Sequence, residues 1–312
     1  SDMSSLNTNI AAMTALQTLR STNSELLQTQ NRISTGLRVS SASDNAAYWS
    51  IATTMRNDRQ SISTVSDALG LGSATAEIAS KGIESAIKIA SEIKDKLLAA
   101  RTPGVDRSKI QAEIGELQES LKAVVDGASF NGQNWLKTDS SEESARTIVS
   151  SFSRGSDGKI SIGTISVDLG ETRLIDSTAS TGASTGGILD GEIAMASGSD
   201  TVTVLDLDIS ALEDTEDDLA DLEAMISGVD AAIEKMTDAA STLGAVKTRI
   251  DIQKDFADSL MSAIDKGVGQ LVDADMNEES TRLQALQVRQ QLGIQALGIA
   301  NQSAQSILSL FR

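Results

Sequence analysis

The sequence predicts a mainly α-helical protein with a small β element, in which long coiled-coil-like helices form a rod and the two terminal helices pair with each other. Three observations support this fold class. Apolar residues recur in heptad spacing over long stretches, which is the pattern of a coiled-coil seam. Pro103 is the only proline among 312 residues, so helices can run uninterrupted. Four Phe, two Trp and one Tyr are too few for a thick core, so small aliphatic side chains must provide most of the packing.

The N-terminal segment carries a short heptad stripe. Two polar residues, Asn23 and Gln30, interrupt the stripe, whose apolar members are Ala12, Leu16, Leu19, Leu26, Ile33 and Leu37. Helices of this kind are marginally stable alone in water. We therefore expect this helix to need a partner.

A longer stripe follows and predicts a helix of roughly 55–60 Å, at 1.5 Å per residue. Its members lie alternately three and four residues apart, and all but Gly72 are apolar: Ile62, Val65, Leu69, Gly72, Ala76, Ala79, Ile83, Ala86, Ala90, Ile93, Leu97 and Ala100. Glycine lowers helix propensity, but a stripe this regular is expected to continue through it.

The segment from Arg101 to Val105, which contains Thr102-Pro103-Gly104, predicts a turn after this helix. Asp106 can then cap a shorter helix that folds back beside the first one. One face of the shorter helix is apolar: Ile110, Ile114, Leu117, Leu121 and Val124.

Ser, Thr and Gly dominate residues 137–208, where the sequence predicts short strands. Ile160 and Ile162 alternate with polar residues, the phase shifts at Gly163-Thr164, and the alternation resumes at Ile165, Val167 and Leu169. Such a shift indicates a β-bulge. A second strand region contains Val202, Val204, Leu205, Leu207 and Ile209, and residues 177–187 form a low-complexity loop.

The C-terminal third carries two further stripes. The first predicts a second long helix: Leu212, Thr215, Leu219, Leu222, Ile226, Val229, Ile233, Met236, Ala240, Leu243, Lys247 and Ile250. The second lies at the end of the chain, with Gln290 and Gly293 interrupting it: Leu283, Leu286, Leu297, Ala300, Ala304, Ile307 and Phe311. This terminal stripe is the natural partner for the N-terminal one.

The charge distribution excludes several classes of partner. The net charge is −18, yet Ser1 to Asn45 is neutral and no acidic residue follows Glu279, so the negative charge lies in the middle of the chain. Nucleic acids and anionic membranes attract basic surfaces, so neither is an expected partner. The sequence shows no apolar run of about 20 residues and no cleavable secretory signal. We expect a cytosolic protein or one exported without cleavage.

The chain contains neither His nor Cys. Their absence excludes Ser-His and Cys-His catalysis within the chain, disulfide bonds and thiolate metal sites. Carboxylate or lysine chemistry stays formally open, but no convincing carboxylate pair points to a reaction. We therefore expect no enzyme activity, no cofactor and no bound metal.

Other patterns that resemble sites have simpler structural interpretations. Residues 273–277 have the Asp-x-Asp-x-Asn opening of a calcium loop, but Glu278 occupies the glycine position, so we expect a polar turn between helices. The acidic run at residues 213–218 is expected to favour a helix N-terminus, with Thr215 and Asp218 at capping-box spacing. Trp49 and Trp135 are expected to be local packing anchors.

Several segments resemble the bacterial flagellins. Residues 32–39 (RISTGLRV) and 41–47 (SASDNAA) are similar to the N-terminal hallmark of that family, and its hallmark residues are Arg32, Gly36, Leu37, Asp44, Ala46 and Ala47. Residues 243–249 (LGAVKTR), 273–279 (DADMNEE) and the tail from Ala300 to Arg312 resemble its C-terminal region. Residues 47–52 (AYWSIA) look like the alphaproteobacterial, rhizobial branch.

The resemblance implies a domain organisation. Residues 1–45 and 270–312 would form a discontinuous terminal coiled-coil domain that makes a filament core. Residues 46–269 would form a rod domain with a small β region at about 137–209, and no large outer domain is expected.

The resemblance also implies a function. The chain would be a structural subunit that self-assembles into the extracellular helical filament of the bacterial flagellum, for swimming motility. Export would use the flagellar type III apparatus without a cleaved signal peptide. The implied partners are other copies of the chain, an export chaperone, and cap and hook-junction proteins. A hook-filament junction protein and a cell-surface polysaccharide-binding homologue are the alternatives.

Two sets of residues follow from this interpretation. In the filament core, we expect one terminal stripe to pack against the other through Leu16, Leu19, Leu26 and Ile33 with Leu297, Ala300, Ile307 and Phe311. The animal innate receptor for flagellin recognises an Arg-Glu-Leu-type patch, and Ser91, Glu92 and Ile93 occupy the corresponding positions here. Because the arginine is missing, we expect weak or no recognition by that receptor.

Overall fold

The computed structural model describes residues 8–178 and 186–311, and these residues are mainly α-helical, as predicted. The helices are α1 (Ile10–Thr35), α2 (Ala46–Ala100), α3 (Arg107–Gly127), α4 (Glu216–Val272) and α5 (Met276–Ser309). Within the described ranges, none of the helices is long and apolar enough to cross a membrane.

The β element is small and consists of two-stranded pairs. The strands are β1 (Ser129–Phe130), β2 (Gln133–Asn134), β3 (Lys137–Thr138), β4 (Ala145–Arg154), β5 (Ile160–Asp168), β6 (Ile175–Asp176), β7 (Ile193–Ala194) and β8 (Thr201–Val202). The antiparallel pairs are β1–β2, β4–β5 and β7–β8, whereas β3 and β6 pair in parallel. Most of the predicted low-complexity loop, residues 179–185, lies outside the described residues.

The chain divides into two compact units. Unit 1 comprises Ser1–Arg59 and Ser262–Arg312, and unit 2 comprises Gln60–Met261. The predicted domain boundaries at residues 45/46 and 269/270 stay predictions.

The α2 stripe is the spine of the unit 2 core. Every member from Ile62 to Ala100 is buried, which confirms the prediction. Gly72, the one stripe position without a side chain, lies against Ile148 of β4: a Cβ at Gly72 would be 2.9 Å from the Ile148 Cδ1 atom. The glycine therefore allows the β4–β5 pair to pack closely on the helix.

The buried face of α4 differs in part from the predicted stripe. Five predicted stripe positions are buried: Leu222, Val229, Met236, Leu243 and Ile250. The other buried residues of this face each precede a predicted position by one residue: Met225, Ala232, Ala239 and Val246. The predicted Ile226, Ile233 and Ala240 are only partly buried at the edge of this core. The helix begins at Glu216, where the Thr215 hydroxyl accepts a hydrogen bond from the Asp218 N–H at 3.2 Å. The predicted capping role of the acidic run is confirmed.

The predicted turn and third helix are present. Asp106 caps α3 by accepting hydrogen bonds from the N–H groups of Ser108 and Lys109. Arg107 is buried and holds the turn together, because its Nε donates to the Ala100 carbonyl at 3.0 Å and its Nη2 lies 2.7 Å from the Asp214 carboxylate. The buried residue near the end of α3 is Val125, whereas the predicted Val124 is half-buried.

The two faces of β5 account for the apparent phase shift. Ile165, Val167 and the following Leu169 are buried, but Ile160 and Ile162 are 55% and 61% exposed on the opposite face. The strand itself is continuous, and the bulge lies in β4 between Val149 and Ser151, opposite Thr164 and Gly163. The irregularity therefore lies at the predicted level of the strand pair, but in β4 and not in β5.

The two tryptophans have different environments. Asn131 and Gly132 both have positive φ values, 50° and 75°, which is the geometry of a tight hairpin turn between β1 and β2. Trp135 follows this hairpin and is 2% exposed, so its predicted anchoring role is confirmed. Trp49 is 38% exposed, and its role as a packing anchor stays a prediction.

Candidate functional site

The two terminal helices pack against each other inside unit 1. The Asn9 side-chain amide donates to the Ala300 carbonyl at 3.0 Å, the Gln290 amide donates to the Asn23 carbonyl oxygen at 2.7 Å, and Arg32 lies 3.4 Å from Glu279. Residue numbers rise along α1 as they fall along α5, so the helices are antiparallel. The predicted partnership of the two ends is present within one chain.

The seam between these helices contains few large buried side chains. The buried residues are Thr22 and Thr29 on α1 and Leu286 and Glu279 on α5. Two of the predicted interruptions, Asn23 and Gln290, satisfy each other across the seam. Because an unpaired polar group in such a contact is costly, this pairing explains why both are tolerated.

Gly293, the other interruption in the C-terminal stripe, lies against Leu19. A Cβ at Gly293 would be 3.2 Å from the Leu19 Cδ1 atom, so the leucine side chain fills the space that the glycine leaves. The absence of a side chain at Gly293 therefore allows α1 and α5 to approach closely at this point.

The predicted packing residues have unequal burial in one chain. Leu19, Leu26, Ile33, Leu297 and Ala300 are half-buried along the seam. Leu16 is 37% exposed, Ile307 is 36% exposed and Phe311 is 78% exposed. Their burial in an assembly stays a prediction.

Many other large apolar side chains on these helices face solvent, and the heptad stripes did not identify them. They are Ile10, Met13 and Leu27 on α1, Met276, Val288, Leu292, Ile294, Ile299 and Leu308 on α5, and Leu310 after it. A heptad assignment gives each helix one apolar face, whereas these residues form additional apolar faces. Burying one such side chain completely contributes about 1.5–3 kcal/mol, so the set could drive strong association.

A groove of about 680 Å³ runs between α1 and α5. Small or uncharged side chains line it: Ala11, Thr14, Ala15 and Thr18 on α1, and Gly293, Ala296, Ile299, Ala300 and Ser303 on α5. The groove and the exposed apolar faces together make this helix pair the candidate assembly surface.

The hallmark segment links the end of α1 to the helices that follow. Gly36 ends α1 with a φ of 72°, and its N–H donates to the Arg32 carbonyl. Leu37 forms an antiparallel bridge with Asp273, while the Ala274 N–H donates to the Gly36 carbonyl at 2.9 Å. These contacts join the segment after α1 to the segment between α4 and α5 within unit 1.

Asp44 organises the turn before α2. Its Oδ2 accepts hydrogen bonds from the Ser40 N–H and hydroxyl at 3.0 Å and from the Ser41 N–H at 3.1 Å. These donors, led by the Ser40 N–H, lower the pKa of the Asp44 carboxyl from its usual value. Ala46 and Ala47 then form the first turn of α2, and alanine has the highest helix propensity of all residues.

The calcium-like sequence is a helix cap. Asp275 accepts hydrogen bonds from the N–H groups of Asn277 and Glu278 and so begins α5, as the polar-turn interpretation predicted. Among residues 8–178 and 186–311, no group of three or more Asp, Glu, His or Cys side chains could hold a metal ion.

The three residues at the predicted receptor patch do not share a surface. Ser91 is half-buried and Glu92 is exposed, whereas Ile93 is fully buried in the unit 2 core. Ile93 therefore contributes to packing within the chain.

Comparison with known proteins gives consistent matches. The models for the bacterial flagellin N-terminal and C-terminal helical regions match residues 6–141 and 226–311. The chain is 46% identical to flagellin C of Rhizobium meliloti (strain 1021), with 99% of this chain and 100% of the relative aligned. It is 41% identical to flagellin A of the same strain and to a flagellin of Brucella melitensis biotype 1, each also over 99% of this chain and 100% of the relative.

Proposed function

Because this chain belongs to the bacterial flagellin family and is a structural subunit of the flagellar filament, we propose that its paired terminal helices form the core of that filament. The exposed apolar faces of α1 and α5 support this proposal. The family is one of structural proteins, which agrees with the expectation that the chain has no enzyme activity.

The proposed core domain comprises residues 1–45 and 270–312, and the proposed rod domain comprises residues 46–269. The charge distribution supports this division. Residues 46–269 contain 20 Lys and Arg against 37 Asp and Glu, whereas the remaining residues contain six Lys and Arg against seven Asp and Glu. A segment with almost no net charge can pack densely against copies of itself, and a strongly acidic one favours solvent.

Assembly would bury the apolar faces of α1 and α5 against neighbouring copies. Removing apolar surface from water contributes about 25 cal/mol per Å². A contact between unlike faces of successive copies does not close into a ring unless the rotation allows it, so it can generate an open helical polymer. In this polymer, Leu16, Leu19, Leu26 and Ile33 would be buried with Leu297, Ala300, Ile307 and Phe311.

A truncation tests the proposal directly. Purified chain is induced to polymerise with ammonium sulfate or filament seeds and examined by negative-stain electron microscopy. We expect long uniform filaments from the full chain and none from a variant lacking residues 283–312. Persistent monomers from the full chain would contradict self-assembly and would favour a junction or surface-binding role.

A point substitution tests the residue assignment. Ile307→Asp places a charge on the proposed core surface and should prevent polymerisation, because a buried unpaired charge is strongly unfavourable. Ile307→Val, which keeps an apolar side chain, is the matched control and should polymerise. Normal filaments from Ile307→Asp would show that this position stays accessible to water in the assembly.

The remaining expectations concern location and partners. We propose an extracellular filament, export through the flagellar type III apparatus, and contacts with an export chaperone and with cap and hook-junction proteins. Copurification of each partner with the full chain would test these contacts. We also propose weak or no recognition by the animal innate receptor, supported by the missing arginine beside Ser91, Glu92 and the buried Ile93. Strong activation of receptor-bearing reporter cells would contradict it.

A further inference from the structure

The seam between α1 and α5 has a repetitive composition that permits more than one alignment. Its apolar positions repeat with heptad spacing on both helices, and most of them are only half-buried. If α5 slides by seven residues along α1, apolar side chains still meet apolar side chains. Hydrophobic burial is non-directional, so these residues alone discriminate weakly between the two alignments.

Besides the Asn9 contact with the Ala300 carbonyl and the exposed Glu25–Arg289 pair, two polar side-chain pairs cross this seam and are satisfied in only one alignment. Asn23 and Gln290 are joined by a 2.7 Å hydrogen bond. Arg32 lies 3.4 Å from the Oε1 atom of Glu279, and Glu279 is 4% exposed. Arg282 of the same helix approaches Glu279 at 3.6 Å.

A slip in either direction separates both pairs. When α5 moves one heptad towards the N-terminus of α1, Glu279 comes opposite Glu25, and Asn23 comes opposite Leu283. When it moves one heptad the other way, Arg32 comes opposite Leu286, and Asn23 comes opposite Leu297. Each slip therefore buries polar groups against leucine or places two carboxylates together, which is unfavourable.

A contribution to stability does not by itself explain why a carboxylate is buried at Glu279. Its Oε2 atom is buried and has no hydrogen-bond partner, so the charge is incompletely satisfied even in the native alignment. Replacing buried polar or ionic groups with apolar residues is often neutral or stabilising, whereas a polar group in a heptad seam is well suited to fixing alignment.

We propose that Asn23–Gln290 and Arg32–Glu279 are positioning residues that set the register of α1 against α5. The functional importance of this register rests on the proposed filament core. Neighbouring copies can make the same contacts along a filament only if every copy has the same arrangement of its two terminal helices. The Leu37–Asp273 bridge anchors the seam at one end, the apolar residues supply its affinity, and the two polar pairs oppose a slip along the rest of the two helices.

Engineered disulfides can report the register, because the natural chain has no cysteine. A Cβ at residue 293 would lie 3.9 Å from the Leu19 Cβ atom, within the range of about 3.5–4.5 Å for a disulfide. The variant with Leu19→Cys and Gly293→Cys therefore reports the native register. Leu26→Cys or Ala12→Cys, each combined with Gly293→Cys, reports a slip of one heptad in one direction or the other.

The test variant replaces both polar pairs with leucine: Asn23→Leu, Gln290→Leu, Arg32→Leu and Glu279→Leu. The matched control is Glu25→Leu with Arg289→Leu, because this pair joins the same two helices at 3.6 Å but is 51% and 60% exposed. Each background carries each cysteine pair and is oxidised before and after induced polymerisation.

We expect the natural background and the control to form only the native disulfide. The all-leucine variant should form slipped disulfides in yields within about threefold of the native one, and its filaments should lose uniform diameter and helical repeat. Exclusive formation of the native disulfide together with normal filaments in the all-leucine variant would overturn the proposal.

Two further measurements separate loss of register from other failures. If circular dichroism shows that the all-leucine variant loses helix, the test is made with Asn23→Leu/Gln290→Leu and with Arg32→Leu/Glu279→Leu, and exclusive native disulfides in both would overturn the proposal. If the natural background forms the native disulfide but never polymerises, the filament-core proposal fails while the register is still measured.

Discussion

At the scale of single residues, the hallmark segment combines backbone geometry and capping. Gly36 adopts a left-handed conformation that ends α1, and Asp44 accepts four hydrogen bonds from Ser40 and Ser41 that shape the turn before α2. Arg32 belongs to the same segment and reaches Glu279 on α5. These residues therefore define where one helix stops, where the next begins and which distant helix is contacted.

Gly36→Ala should lower the free energy of unfolding by about 1 kcal/mol, because a Cβ is disfavoured in the left-handed region. No neighbouring atom lies within 4 Å of the added Cβ, so the change in unfolding free energy measures backbone strain without a steric clash. Gly115→Ala, within α3 and also free of close neighbours, is the matched control and should raise stability by about 0.5–1 kcal/mol. Urea unfolding followed by circular dichroism measures both changes, and equal effects would contradict the assignment.

Asp44 should make stability depend on pH. Its folded-state pKa is lowered from 3.8, so the carboxylate stabilises the fold above that pH, and the contribution is lost as the pH falls through the lowered pKa. We expect the natural chain to be more stable than Asp44→Asn at neutral pH, with the difference shrinking below about pH 4. Urea unfolding of both chains between pH 2 and 7 tests this, and a difference independent of pH would count against it.

At the scale of elements, β5 and α4 each have more apolar positions than their buried faces use. On β5, Ile165 is 3% exposed and faces the core, whereas Ile162 is 61% exposed on the other face. On α4, Met225 is buried where its neighbour Ile226 was predicted. Apolar identity alone therefore does not define the packed face.

The two β5 isoleucines provide a matched pair for testing this distinction. Ile165→Ala should cost about 2–5 kcal/mol, because it removes buried side-chain volume and leaves a cavity. Ile162→Ala, with the same chemical change on the exposed face, should change the unfolding free energy of the monomer by less than about 0.5 kcal/mol. Comparable losses of stability for the two variants would contradict the assigned faces.

At the scale of the whole molecule, the net charge lies entirely within one unit. Residues 60–261 carry the −18 charge, and the rest of the chain is neutral. Copies brought together in a filament would therefore repel each other through unit 2 while their terminal helices attract by apolar burial. The balance between the two should depend on ionic strength, since charge repulsion is screened by salt and hydrophobic burial is affected much less.

Filament growth should accordingly accelerate as NaCl rises from 10 to 150 mM, over which the screening length falls from about 30 to about 8 Å. Replacing four exposed glutamates with glutamine (Glu116, Glu119, Glu142 and Glu143) should flatten this dependence. The control replaces Glu142, Glu143, Lys81 and Lys109 with glutamine and keeps the net charge. Light scattering measures the rates, and an unchanged salt dependence in the first variant would contradict the repulsion.

The sequence by itself determined the features that depend on neighbours along the chain. The stripe from Ile62 to Ala100, the Asp106 cap and the polar turn at residues 273–277 all follow from local spacing and side-chain chemistry. The family hallmark is likewise a contiguous segment, so the family could be identified from its residues alone.

Only the tertiary structure decided which partners meet. Arg32 and Glu279 are 247 residues apart, and Asn23 and Gln290 are 267 apart, so no local pattern pairs them. The choice between Met225 and Ile226, and between the faces that carry Ile162 and Ile165, also depended on the partner surface. A periodic pattern sets the spacing of apolar residues along an element, whereas packing against a distant element sets which of those residues are buried.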